Sequence, residues 1–186
     1  MEQIKEVNLK LKNLNLETFL LTGKINNIDL IEKLKKIVFE KSKNSNMDYK
    51  TNVKGKFTGF NSLSDEPDFH NFIKSIMKEI GVIWKYHFKI KDAWGNVCTE
   101  ETDEVLEHDH ASFSGFCGIL YLTQGGPGTY FRDFDLTVEE EIGKFVLFHP
   151  MLKHSVKKMD KKIERITIAF NMDQWKPWEE NIKPLN

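Results

Sequence analysis

Residues 163–171 read IERITIAFN. On a strand, Ile166, Ile168 and Phe170 share one face, while Arg165, Thr167, Ala169 and Asn171 share the other. The first is a core face. The second sets a guanidinium between apolar neighbours, and an interior cation without a partner is costly. A strand of this kind belongs to a sheet that has something to bind on its polar face. Residues 113–123 read FSGFCGILYLT. Here Phe113, Gly115, Cys117, Ile119 and Tyr121 alternate with Phe116, Leu120 and Leu122, so both faces are mostly apolar and the strand should be covered on both sides.

The same texture spreads outward from these two runs. Short β-rich segments lie at roughly 84–90, 93–98, 105–110, 128–133, 144–149 and 154–158, with a turn at Gly125-Gly126-Pro127-Gly128. Many short, closely spaced strands predict a sandwich or barrel. Upstream, the first 22 residues alternate loosely (Ile4, Val7, Leu9, Leu11) and suggest one or two strands. Leu30, Ile31, Leu34, Ile37 and Val38 recur at helical spacing behind Asp29. Residues 41–63, rich in Lys, Asn, Ser and Gly, read as a connecting loop. Ser64 or Asp65 can cap a second helix with Pro67 in its first turn and Gly81 near its end. Its buried stripe is Phe69, Phe72, Ile73, Ile76, Met77 and Ile80. The expected fold class is mainly β with N-terminal helices: one domain, with a helix-rich support over 1–82, a barrel over 83–172 and a tail over 173–186.

Composition bounds the function. The chain has 186 residues, 40% hydrophobic and 12% aromatic, enough for a sizeable core and incompatible with whole-chain disorder. A formal net charge of −1 argues against a nucleic-acid binder held by bulk charge. Cys98 and Cys117 lack metal-ligand spacing and fit a reducing compartment. The N-terminal stretch has no continuous apolar core of a signal peptide, and no run approaches the ~20 apolar residues of a membrane span. The expected location is cytoplasmic, without membrane contact. The 27 basic residues divide into 25 Lys and two Arg, Arg132 and Arg165. Where Lys is the default cation, each Arg raises the question of a geometry that Lys cannot supply.

Four of the six histidines, His108, His110, His149 and His154, lie in the β-rich half. His108 and His110 are two apart, so on a strand their imidazoles share a face and can grip one metal ion. Taken alone, His-x-His is a weak signal. His154, just past the turn after segment 144–149, is placed to add a third ligand from an adjacent strand.

With these residues in place, the sequence resembles the 2-oxoglutarate- and Fe(II)-dependent oxygenases of the prolyl-4-hydroxylase-like group, in particular a bacterial and phage subgroup. The matching residues are Trp94 to Val97, His108 to Gly115, Tyr121-Leu122, Gly128 to Phe131, Val146 to Pro150, His154, and Arg165 to Asn171. They span about half of the chain, and their order and spacing carry the likeness more than any single motif does. The resemblance implies a double-stranded β-helix, a jelly-roll or cupin-like barrel with two supporting helices. It implies Fe(II) held by His108, His154 and a third ligand, with 2-oxoglutarate and O2 as co-substrates. It also implies Arg165, Tyr121 and Thr167 at the far carboxylate of 2-oxoglutarate. The implied activity is an oxygenase of the hydroxylase type that releases succinate and CO2 and acts on an unidentified small molecule or peptide.

The third ligand is where the chain departs from the family's usual His-x-Asp or His-x-Glu. Three accounts stand, and the first is the one preferred. His110 can complete a three-His site, the arrangement common in the subgroup. A bulge can turn Asp109 inward instead. Or Asp133 can supply the carboxylate. Arg165 has a physical logic of its own, because a guanidinium fork meets a carboxylate through two parallel hydrogen bonds that an ammonium cannot copy. The competing role is a structural pair with Glu164 or Asp160. Two other functions remain open at this point: a three-His cupin-like metal enzyme that does not use 2-oxoglutarate, and a non-catalytic barrel that binds a ligand.

Other residues read as supporting ones. His149, before Pro150, is a turn residue, and His70 and His87 are structural. Gln124 to Thr129 lacks the ending of a phosphate loop and reads as a hairpin turn. Arg132 is either a substrate contact or a surface ion pair. The acidic segment 99–107 is either a solvated loop or a lid for a cationic substrate. Trp175 and Trp178 are expected to pack the tail onto the barrel.

Overall fold

The computed structural model describes residues 7–15, 18–44, 51–83, 87–111, 115–159 and 163–175. Ser112 to Ser114, Asp160 and Trp178 lie outside them, as do the side chains of His87 and Trp175. The chain opens with a hairpin, β1 (Val7–Asn15) and β2 (Thr18–Ile25), followed by α1 (Ile28–Lys43). Asn27 caps α1, its Oδ1 accepting from the Leu30 amide at 3.0 Å. Two short strands, β3 (Val53–Lys54) and β4 (Lys56–Phe57), precede α2 (Pro67–Ile83). Then come β5 (His87–Cys98), β6 (Glu104–His108), β7 (Phe116–Tyr121), β8 (Thr129–Phe131), β9 (Leu136–Val138), β10 (Lys144–Phe148), β11 (His154–Val156) and β12 (Arg165–Trp175). No described helix is long and apolar enough to cross a membrane.

The strands form two antiparallel sheets. One has the order β1-β2-β10-β7-β12-β5-β4 and the other β3-β6-β11-β8-β9. From β5 onward the chain alternates between them, crossing at β6, β7, β8, β10, β11 and β12. That alternation makes the fold a double-stranded β-helix.

Two cores stabilise it. The outer face of the large sheet, with Ile166, Ile168, Phe170, Leu120 and Phe145, packs against Leu30, Ile31, Leu34 and Val38 of α1 and Phe69, Phe72, Ile76 and Ile80 of α2. Gly95 permits the close approach of α1, since a Cβ there would lie 2.4 Å from a Val38 methyl. Leu20, Cys117, Ile119, Tyr121, Phe131, Val138, Val146, Phe148 and Leu152 fill a second cluster. β7 is buried along its whole length, as its two apolar faces require.

Several boundaries differ from the sequence reading. Segments 84–90 and 93–98 belong to one strand over their described part. β5 pairs with β12 on both sides of a bulge opposite Asn171/Met172, and the polar Lys91-Asp92 pair that resembled a break sits at that bulge. The 41–63 loop contributes β3 and β4, one to each sheet. Both are two residues long, too short for any periodicity. Segment 128–133 divides into β8 and a 3₁₀ turn, Arg132–Phe134, and β9 then follows, a run of three residues too short to show a period. α2 continues two residues past Gly81. The large sheet takes strands from both sides of residue 82, because β2 pairs with β10 and β4 with β5.

Candidate metal and carboxylate site

The polar face of β12 becomes a cavity wall. Arg165, Thr167, Ala169 and Asn171 line a cavity between the sheets, together with Asn96 and Trp94 from β5, Thr129 from β8 and three histidines. His108 ends β6 and His154 begins β11, and the two are cross-strand partners. His110 lies two residues beyond the end of β6, so the two-residue spacing does not place it on the strand. Its amide donates to the Pro150 carbonyl at 2.7 Å, which pins the chain where it turns. The imidazoles converge all the same. Ring centroids lie 4.3 Å apart for His108–His154, 5.1 Å for His108–His110 and 5.3 Å for His110–His154. One ligand atom from each lies within 4.8 Å of the others.

Two of these rings are oriented in the same way. Nδ1 of His108 donates to the Leu106 carbonyl at 2.8 Å, and Nδ1 of His154 donates to the Leu152 carbonyl at 3.0 Å. A carbonyl only accepts, so Nδ1 carries the proton and Nε2 keeps its lone pair for a ligand. Burial disfavours the charged form of all three. His154 is 5% exposed, and burial with the neighbouring His108 lowers its pKa to about 3. Burial and His108 lower His110 to about 4, and burial also lowers His108. Three neutral imidazoles around one point make a nitrogen donor set suited to a divalent transition metal.

Neither carboxylate alternative joins them. Asp109 is exposed and its Oδ1 accepts from the Ala111 amide at 3.2 Å. Asp133 is exposed in the 3₁₀ turn and accepts from the Lys153 amide at 3.1 Å. Both are held in local backbone turns, outside the histidine cluster.

Arg165 stands toward the other end of the cavity and is 2% exposed. Its Nε donates to the Pro127 carbonyl at 3.0 Å, one terminal nitrogen donates to Thr129 Oγ1 at 3.5 Å, and the guanidinium lies 5.7 Å from the Tyr121 ring centroid. Among the described residues no carboxylate pairs with it. Glu164 pairs with Lys35 at 3.7 Å instead, and Asp160 is outside the described residues. A buried guanidinium with no carboxylate in direct contact is suited to receive one.

Thr167 is buried on the cavity wall, between Asn96 and Tyr121 in the register of the sheet. Tyr121 is buried one layer back. Its hydroxyl donates to Thr129 Oγ1 at 2.7 Å, so it reaches the cavity through Thr129. Thr129 accepts from both Tyr121 and Arg165, which leaves its own hydroxyl hydrogen to point toward a ligand.

The sequence reading assigned no role to Thr129 or Glu140. Glu140 is 6% exposed and accepts from Thr123 Oγ1 at 2.7 Å and from the Gly126 amide at 2.5 Å. It therefore fixes the turn whose Pro127 carbonyl orients Arg165. A Cβ on Gly126 would lie 2.6 Å from Glu140 Oε2, so this turn needs its glycine.

Elsewhere the roles are structural. Arg132 pairs with Glu107 on the surface at 2.8 Å. His70 bonds the Ser64 carbonyl at 2.6 Å, and His149 Nδ1 accepts from the Met151 amide at 3.3 Å. Burial pushes the Cys98 thiol up to about 11 and raises Cys117 as well, so neither is a ready nucleophile. In the acidic segment, Asp103 accepts from the Thr99 and Glu100 amides at 2.8 and 3.0 Å, which makes residues 99–103 an ordered turn, and the rest of the segment belongs to β6.

No family model matches the chain, and no curated protein matches it in sequence. Solved structures do match in fold. The viral collagen prolyl hydroxylase of Paramecium bursaria Chlorella virus-1, in complex with 2-oxoglutarate, aligns with a TM-score of 0.60 at 12% identity, covering 81% of this chain and 94% of its own. The non-haem α-ketoglutarate-dependent epimerase SnoN of nogalamycin biosynthesis aligns with a TM-score of 0.64 at 10% identity, covering 84% of this chain and 77% of its own. HygX of Streptomyces hygroscopicus, with nickel, 2-oxoglutarate and hygromycin B bound, aligns with a TM-score of 0.59 at 11% identity over 86% of each chain. The chain thus has the double-stranded β-helix fold of the 2-oxoglutarate/Fe(II) oxygenases.

Proposed function

We propose that this protein is a non-haem Fe(II)- and 2-oxoglutarate-dependent dioxygenase of the hydroxylase type, working as a single cytoplasmic domain on a small molecule or peptide. One observation carries the reading: a single cavity holds three neutral, converging imidazoles and, beyond them, a buried Arg165 with no carboxylate partner among the described residues. The donor set fits the metal, and the unpaired guanidinium fits the far carboxylate of a diacid. Bound there, the metal and 2-oxoglutarate together supply dioxygen activation, with release of succinate and CO2.

The chain's own part is binding and enclosure. His108, His110 and His154 would hold the metal. Being neutral, they would leave its charge for an anionic co-substrate such as 2-oxoglutarate to balance. Arg165 supplies a rigid fork for the far carboxylate, with the Thr167 and Thr129 hydroxyls beside it. Val105, Val156, Ile119 and Phe148 make the rest of the wall apolar, which excludes water and strengthens each polar contact inside. Arg165 is also what separates this reading from a three-His enzyme without 2-oxoglutarate or a non-catalytic barrel, since neither needs a buried carboxylate site.

Calorimetry tests it. 2-Oxoglutarate should bind the metal-loaded protein and bind far more weakly without metal. A metal-loaded protein that takes up no 2-oxoglutarate would leave this proposal without support.

A further inference from the structure

The cavity has a second polar feature. Among the buried side-chain nitrogens and oxygens of the described residues, two lack a hydrogen-bond partner: Oδ1 of Asn96 and Oδ1 of Asn171. Both residues line the same cavity, and they are 6% and 2% exposed. Buried acceptors are paired as a rule, so an unpaired acceptor on the cavity wall points to a missing ligand. Asn96 pairs with Thr167, beside the proposed carboxylate site, whereas Asn171 pairs with Asp92 four residues further along β12.

The direction of the Asn171 amide is fixed. Its Nδ2 donates to Asp92 Oδ1 at 2.7 Å, and turning the amide over would set its oxygen against the carboxylate. Oδ1 is therefore the atom left to be satisfied, and it can only accept. The register of the sheets gives its place. Trp94 pairs with Ala169 and has its ring 6.3 Å from His110. Phe148 pairs with Cys117, the partner of Asn171, and has its ring 4.7 Å from His154. The histidines thus lie over the Ala169–Asn171 end of β12. Arg165 begins the strand six residues before Asn171, roughly 20 Å away at strand spacing. Asn171 belongs to the metal end, remote from the guanidinium, where an acceptor-only carboxylate would be repelled by its oxygen.

We propose that Asn171, oriented by Asp92, is a substrate-recognition residue at the metal end of the cavity. Its Oδ1 accepts a hydrogen bond from an N–H or O–H of the substrate. The substrate is then a polar, donor-bearing molecule such as an amide, amine or alcohol, and not a hydrocarbon or an acceptor-only anion, either of which would leave that oxygen unpaired. This inference rests on the oxygenase reading for the identity of the site and adds the chemistry of the substrate.

The test is an NMR titration of the protein loaded with Zn(II) and 2-oxoglutarate, following the side-chain amide signals of asparagine. The probes are acetamide and ethanol as N–H and O–H donors, with acetone and acetate as acceptor-only partners of similar size. At least one donor should shift the Asn171 signal at concentrations about tenfold below those of acetone or acetate. Asn171→Leu should remove that preference, read at the indole N–H signal of Trp94, which lines the same end of the cavity, and leave 2-oxoglutarate affinity unchanged. Asp92→Asn, which frees the Asn171 amide to turn, should narrow the preference without deleting the side chain. Equal shifts by donors and acceptors in the wild type would overturn the inference. So would a tenfold loss of zinc or 2-oxoglutarate affinity in Asn171→Leu, because Asn171 would then serve the metal or co-substrate. If the protein takes up zinc but no 2-oxoglutarate, the oxygenase proposal fails, and the same donor series on the zinc form still decides this inference.

Discussion

The two ends of the cavity rest on different frameworks. The histidine end comes from the small sheet, where β6 and β11 are five and three residues long and His110 lies beyond any strand. It is held by backbone carbonyls: Leu106 and Leu152 orient rings, and Pro150 anchors a chain segment. The arginine end belongs to the large sheet, on an eleven-residue strand backed by both helices; the Pro127 carbonyl orients Arg165, and the Glu140 side chain fixes the turn that presents that carbonyl. A metal site can be assembled on short elements because the ion itself draws the ligands together. A carboxylate site has only its own framework to keep a guanidinium unpaired and in place.

The contrast gives predictions of decreasing size. Replacing a ligand should do most harm: His154→Ala should weaken metal binding by about 100-fold or more and abolish 2-oxoglutarate turnover. Retained turnover would remove His154 from the metal. Arg165→Lys should weaken 2-oxoglutarate binding by about 10- to 100-fold while metal affinity stays within about twofold. Equal loss of both would make Arg165 a folding residue and collapse the distinction between the ends. Glu140→Ala should have a smaller effect of the same kind. We expect a fall of several-fold in 2-oxoglutarate affinity and a stability loss of about 1–3 kcal/mol from the two donors left unpaired. An unchanged affinity would show that the 125–128 turn does not orient the guanidinium.

Acid should act on the histidine end. In the unfolded chain these imidazoles titrate near 6.5, but in the folded metal-free protein His110 does so at about 4 and His154 at about 3. Between those values the unfolded state binds more protons, so stability falls as pH drops below about 6.5 and is flat for these groups above it. Urea midpoints from pH 7 to 4.5 should follow that fall, and the fall should shrink in His154→Ala. A fall of the same size in the variant would contradict the cause assigned here. The smallest effect belongs to Asp109→Ala and Asp133→Ala, which should each retain metal within about twofold while His110→Ala does not. Metal loss confined to the Asp109 variant would replace His110 as third ligand.

Much of this contrast was legible in the chain. The polar face of β12 is a local period-two pattern and needs no tertiary knowledge to read. The spacing of His108, His110 and His154 was visible for the same reason, but the cause assigned to it was incomplete. His110 reaches the cluster through a backbone bond to Pro150, a contact between residues forty apart in sequence. Glu140 and Thr129 were not legible as site residues, because their roles exist only once the 125–128 turn folds over β12. β3 and β4 were hidden because pairing with longer neighbours, and no pattern of their own, makes them strands.

The most direct test of the central account is an anaerobic visible spectrum of the protein mixed with Fe(II) and then with 2-oxoglutarate. A metal held by these histidines and chelated by 2-oxoglutarate should give a weak charge-transfer band that appears on adding the diacid, titrates to one equivalent and is absent in His154→Ala. No band in a protein shown to hold iron would contradict the claim that the two ends of this cavity serve one metal and one 2-oxoglutarate.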